Sequence, residues 1–195
     1  MLHPDMEAGR CVIISAHHRF QRMPVDMLLP IMRERLLASL SGTPDVIDEL
    51  VRRLMPHDPA WDLRPDPNRY TLREILAHLY ALETRWYERI AQTSASDGVT
   101  LPLLDIAALE VEFEISTSDP IVSREKFREK RLSLVRLLKD LDDDHWLHIG
   151  YWPRLGEDDQ RGKPVTLEAM AAFVTIHDGY HTAQIAQWLG IARNK

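Results

Sequence analysis

The sequence predicts an all-α protein, a four-helix bundle with a long crossover between its second and third helices, on three observations. Apolar residues recur at helical spacing in four separate stretches, and no stretch sustains the alternation of a half-buried strand. About thirty residues, Thr93 to Val122, separate the second stretch from the third, where antiparallel neighbours in a bundle need roughly 2–8. A link of that length suggests a crossover joining parallel helices.

Residues 1–30 show no clear periodicity and contain Pro4, Pro24 and Pro30, which predicts a loosely ordered arm ahead of a bundle domain over 31–195. Met23 and Met27 are each candidates for the biological start, the residues before them then being a gene-model extension. The arm's His3, His17 and His18 read as solvated rather than ligating. The first helix spans Ile31 to Met55, with a break near Ser41-Gly42-Thr43-Pro44, where Thr43 suits an N-cap and Pro44 the first helical position. Its stripe is Val46, Ile47, Leu50, Val51 and Leu54. A loop marked by Pro56, Pro59, Pro65 and Pro67 follows, with Trp61 packed against the bundle.

The second helix is announced by Thr71 and Glu74, a capping box directly before an apolar run. Leu72, Ile75, Leu79, Leu82 and Trp86 repeat at helical spacing, and the helix ends near Gln92. The long link holds a short helix over Leu103 to Phe113. The third helix opens at Ser123, with Lys126 where a capping box needs Glu, and presents Phe127, Leu132, Leu134, Val135, Leu138 and Leu141 inward. Asp142-Asp143-Asp144-His145-Trp146 closes it. Thr166 then caps the fourth helix, which runs to Leu189.

At 195 residues, 45% hydrophobic and 28% charged, the chain suits one ordinary globular domain. No apolar run approaches the roughly 18–20 residues of a membrane span. The segment before Cys11–Ala16 carries Asp5 and Glu7 with only Arg10 as a base, a poor signal peptide. Cys11 is the single cysteine, so no internal disulfide forms and a reducing cytoplasm is expected. A net charge of −6 argues against a nucleic-acid partner. Basic residues gather at Arg124, Lys126, Arg128, Lys130 and Arg131, but Glu125 and Glu129 interleave, which predicts a solvated face with i,i+4 pairs.

The chemistry concentrates in the fourth helix. His177 and His181 are four apart and so share a helix face, with Cβ atoms about 5–6 Å apart. Leu167, Met170, Ala171, Val174, Ile185 and Trp188 define the apolar arc; His181 falls near its middle and His177 at its edge. An unpartnered buried imidazole costs roughly 1–3 kcal/mol, so something in the core should meet them. His78, on the flank of the second helix's arc, is the third candidate. Two donors from one helix and one from a neighbour would give three nitrogen ligands and an open position, the arrangement of catalytic zinc sites. Imidazole suits zinc, nickel, copper and iron alike. Spacing alone leaves a metal site and a set of hydrogen-bonded core histidines both open.

His177-Asp178 with His181 also resembles the H-E-x-x-H zincin motif with Asp for Glu. Asp is shorter than the Glu whose task it would take, and no His, Asp or Glu follows His181 to supply a downstream third ligand. The third ligand must come from upstream. His145 and His148 form a second spaced pair, which reads as a helix-end pair favoured by the dipole.

The run Val165-Thr166-Leu167-Glu168, followed by His177-Asp178-Gly179-Tyr180-His181-Thr182-Ala183-Gln184-Ile185, resembles the last helix of the DinB/YfiT-like superfamily. Thr71-Leu72-Arg73-Glu74-Ile75-Leu76-Ala77-His78-Leu79 resembles that family's second helix, which contributes its first histidine. The likeness in order and spacing runs from about Ile31 to Ile191. It implies an up-down-down-up bundle, a divalent ion such as zinc, nickel or iron held by His78, His177 and His181, and a homodimer. Members with known activity include thiol-dependent transferases and isomerases using mycothiol or bacillithiol; others are DNA-damage- or stress-associated. The resemblance therefore implies a metal-dependent thiol transferase or hydrolase acting on a small molecule, with a low-molecular-weight thiol as a further cofactor, or else a non-catalytic metal-binding stress or DNA-damage-response protein. Asp178, Tyr180 and Gln184 are candidates for groups that orient the ligands.

Overall fold

The computed structural model describes residues 25–153 and 162–193. In chain order these form α1 (Val25–Val51), α2 (Leu72–Ala95), β1 (Val99–Thr100), α3 (Ile106–Glu112), α4 (Pro120–Lys139), β2 (Ile149–Trp152), β3 (Lys163–Thr166) and α5 (Leu167–Arg193). The bundle is α1, α2, α4 and α5, and its side-chain contacts give the path. Along α2 and α4, Arg73 meets the Ser118 carbonyl, Lys126 lies over Tyr80 and Arg131 pairs with Glu83, so the two helices are parallel. Between α2 and α5 the order reverses: Thr93 faces Met170, while Trp188 donates to the Tyr70 carbonyl. Arg128 reaches Asp45 and Asp48 while Arg131 reaches Leu40, which sets α1 antiparallel to α4. The path is up-down-down-up, and the link carrying α3 is the crossover.

Local chemistry fixes the helix ends. The capping box is present: Thr71 Oγ1 accepts from the Glu74 amide at 3.2 Å, and the Glu74 carboxylate accepts from the Thr71 amide at 2.8 Å. Helix α4 starts three residues before Ser123 because Asp119 is its cap, accepting from the Ile121 and Val122 amides, with Pro120 at the first position. Thr166 caps α5 through the Ala169 amide. Helix α1 begins at Val25, inside the stretch expected as an arm; residues 1–24, with His3, His17 and His18, lie outside the described residues.

The expected break at Ser41–Pro44 is absent, and α1 runs straight through it. Proline at this position cannot donate to the carbonyl four residues back, that of Leu40. That carbonyl instead accepts a hydrogen bond from Arg131 Nη1 at 3.3 Å. Thr43 does not cap; its hydroxyl donates to the Ser39 carbonyl within the helix. The basic residues of α4 also depart from expectation. Arg124 and Arg128 pair across to Asp48 and Asp45 on α1 instead of along their own helix, and Arg131 is buried.

The apolar core divides in two. One cluster surrounds Leu40, Trp86, Leu134 and Val174; the other surrounds Ile47, Leu76, Phe127 and Ile185. On α4 the interval between them holds Arg131, and on α5 it holds His177, Asp178 and His181. A small sheet in the order β1-β2-β3, parallel then antiparallel, covers the end where α2 finishes and α5 begins. Strands of two to four residues are too short to leave an alternating pattern. Among the described residues no helix is long and apolar enough to cross a membrane.

Gly150 seats the sheet on the bundle. A Cβ there would stand 2.6 Å from Met170 Cε, 2.7 Å from Thr93 Oγ1 and 2.9 Å from Leu101 Cδ1. Gly150→Ala should therefore lower stability by about 1–3 kcal/mol, as overpacking does. Urea unfolding measures it, and an unchanged midpoint would contradict this packing.

Candidate metal centre

Because α2 and α5 are antiparallel neighbours, His78 in the second turn of α2 meets the middle of α5. The ring of His78 lies 5.3 Å from that of His177 and 4.9 Å from that of His181, centroid to centroid. His78 Nε2 and His177 Nε2 are 3.2 Å apart. One ligating nitrogen from each of the three histidines falls within 4.8 Å of the other two. Two imidazole nitrogens bonding one ion at about 2.0–2.1 Å stand roughly 2.8–3.4 Å apart for bond angles of about 90–110°. The His78–His177 pair meets that spacing.

As a purely structural cluster the histidines are under-satisfied. Gln184 serves one of them: its Oε1 lies 3.2 Å from His181 Nδ1, and as an acceptor it places the proton on Nδ1, so that Nε2 is the free donor atom. His78 Nδ1 is buried without a hydrogen-bond partner. Three crowded imidazoles with one acceptor among them fit a divalent ion better than they fit one another.

Burial is the main cause of their electrostatics. It holds His78 at about 3, helped by His181 and His177, against an ordinary 6.5. Burial, then the Arg131 charge, holds His177 at about 4. Burial, then His177, holds His181 at about 4 despite Gln184 and Asp178. All three are neutral at pH 7, the protonation state a metal ligand needs.

The other two candidates from α5 are placed differently. Asp178 is buried but turns to Arg131, with Nη1 on Oδ2 and Nη2 on Oδ1; no hydrogen bond joins it to a histidine. Tyr180 is 56% exposed and takes a hydrogen bond from Arg69 at 3.1 Å, with its ring edge against His181. Of the three, Gln184 alone contacts a ligand's nitrogen.

Sequence reasoning missed the buried ion cluster. Arg131 pairs with Glu83 through Nε and Nη2, each at 2.7 Å, as well as with Asp178 and the Leu40 carbonyl, so all five of its N–H groups are satisfied. Burial opposes the Arg131 charge, but Glu83 and Asp178 outweigh it and raise its pKa. Burial in turn pushes the Glu83 carboxyl up against the pull of Arg131. The signal was present: Arg131 lies four residues after Phe127 and three before Leu134, on the inner face.

Also missed was the wall of the cavity that the cluster opens into. This space of about 340 Å³ is lined by Arg69, Tyr70, Glu110, Tyr180 and Gln184 together with His78 and His181. Tyr70 donates its hydroxyl to Glu110, and burial, then that carboxylate, raises the Tyr70 pKa, keeping it a neutral phenol. Arg69 and Tyr70 sit in a loop and Glu110 on the short α3, where no periodicity marks them. His145 and His148 stay outside the site: they bond Asp142 and the Thr93 carbonyl.

The family model described as the DinB superfamily matches residues 39–185. The chain belongs to the DinB superfamily. Among solved structures it is similar to YfiT from Bacillus subtilis, described as a probable metal-dependent hydrolase with an unusual four-helix bundle topology. The likeness has a TM-score of 0.70 at 19% identity over 86% of this chain and 89% of that one, and it shows the shared fold. No curated protein matches.

Two outcomes follow for this DinB-superfamily chain. Arg131→Met should cost about 3–5 kcal/mol, because it strands two buried carboxylates; chemical denaturation reads this, and a loss below about 1 kcal/mol would refute the role given to the cluster. The histidines should also make the metal-free protein acid-sensitive. Their folded pKa values lie below the unfolded value, so the unfolded chain binds more protons between about pH 6.5 and 3, and stability falls as pH drops through that window. Unfolding free energies across the window should slope less steeply in His177→Gln/His181→Gln; equal slopes would contradict the assignment.

Proposed function

We propose that this protein is a metal-dependent enzyme acting on a small molecule, with His78, His177 and His181 as ligands of one divalent ion. The observation that supports it is the convergence of three neutral, largely buried imidazoles beside a polar cavity. When bound, the ion supplies Lewis acidity, lowering the pKa of a water or of a low-molecular-weight thiol at the open position. Gln184 holds the His181 ring in the ligating tautomer. Among the described residues Glu110 is the one carboxylate lining the cavity, and so the group placed to take up a released proton; Tyr70 holds it there. Hydrolysis agrees with the description of the YfiT protein, and thiol transfer with the family resemblance of the two histidine-bearing helices.

A second reading rests on the origin of the ligands. They come from α2 and α5, so an ion would clamp two helices and could serve stability alone. Elemental analysis of the purified protein beside His181→Ala and His181→Gln decides the first point: stoichiometric metal in the parent and little in either variant is expected. Equal metal in all three would remove the ligand assignment. The two readings part on exogenous ligands. Binding of a small thiol by the metal-loaded protein supports the enzyme; metal that raises the melting temperature yet accepts no ligand supports the clamp.

A further inference from the structure

Arg69 lines the same cavity as His78 and His181 but belongs to no ion pair among the described residues. The one acceptor its guanidinium reaches is the Tyr180 hydroxyl, and its Nε is buried with no partner at all. Two aromatic faces hold it in place, Trp188 at 4.9 Å and Tyr180 at 5.5 Å from its central carbon. Trp188 is itself pinned by its indole N–H to the Tyr70 carbonyl. A flexible cation has thus been fixed on the cavity wall with no carboxylate among the described residues paired to it. Arg64, Arg73, Arg85 and Arg128, by contrast, each have a carboxylate.

We infer that Arg69 is the anchor for a carboxylate on the substrate, whose reacting end is thereby directed at the three histidines. This rests on the metal-dependent reading above and names the substrate class for that site. A carboxylate suits the position better than a phosphate monoester. Glu110 lines the same cavity, and its like charge disfavours a dianion more than a monoanion. The fork of a guanidinium also matches a carboxylate in two parallel hydrogen bonds, a geometry lysine cannot reproduce.

The test uses the full chain loaded with cobalt(II), whose visible spectrum reports thiol binding, titrated with 3-mercaptopropionate, 2-mercaptoethanol and cysteamine. The carboxylated thiol should bind about tenfold more tightly than the neutral one, with the cationic one weakest, as one charge-assisted contact allows. Arg69→Gln should erase that order while leaving cobalt stoichiometry and the spectrum of the ligand-free protein unchanged. Arg69→Lys should keep part of the preference. Equal affinities in the parent, or a preference that survives in Arg69→Gln, would overturn the anchor alone. Failure of the parent to take up cobalt would overturn the metal reading and the anchor with it. Inorganic phosphate competing as well as propionate for the loaded protein would also overturn the choice of carboxylate.

Discussion

The guanidinium of Arg131, fully buried on α4, reaches α2 through Glu83, α5 through Asp178 and α1 through the Leu40 carbonyl. Removing an arginine and two carboxylates from water costs several kcal/mol per ion, and a buried group left half-satisfied is worse than an apolar one. The cluster is tolerable only when every donor has its acceptor, which requires all four helices in one register. Slide α5 by a residue and Asp178 leaves; let α1 regularise and the Leu40 carbonyl is lost. The proline that should have interrupted α1 is what frees that carbonyl. Two local irregularities, a mid-helix proline and a core arginine, thereby remove each other's cost.

This constraint places the histidines. Successive residues of a helix point about 100° apart, so a bond that fixes Asp178 toward α4 also fixes the rotation of α5. With Asp178 on Arg131, His177 and His181 face α2 and meet His78. The polar layer lies between the two apolar clusters, whose own polar side-chain atoms are indole N–H groups. Charged and ligating residues therefore occupy one level of the bundle, with the arginine on one side and the open cavity on the other.

Most of this was legible only where a residue's role is set by its own helix. The Thr71–Glu74 box, the apolar stripes and the i,i+4 histidines are local, and the family, the topology and the histidine cluster followed from them. What depends on a partner distant in sequence was not legible. Pro44 reads as a break until Arg131 is known to take its carbonyl. Arg131 reads as one more base among Arg124, Lys126, Arg128 and Lys130 until Glu83 and Asp178 are seen around it. Asp119 was hidden by the apparent continuity of the long link, and the strands by their brevity. Arg69, Tyr70 and Glu110 come from irregular or short segments, whose side-chain directions no periodicity gives.

The separation of Asp178 from the histidines bears on what the site can do. A carboxylate beside two imidazoles is an available metal ligand, and as a fourth one it would close the site and offset half the charge of a divalent ion. Arg131 occupies both of its oxygens, so the donor set stays at three neutral rings. Neutral donors leave an ion its full charge, which favours ionisation of whatever takes the open position. The same cluster that sets the register of the bundle thus holds the Asp178 carboxylate on Arg131 and away from the three imidazoles.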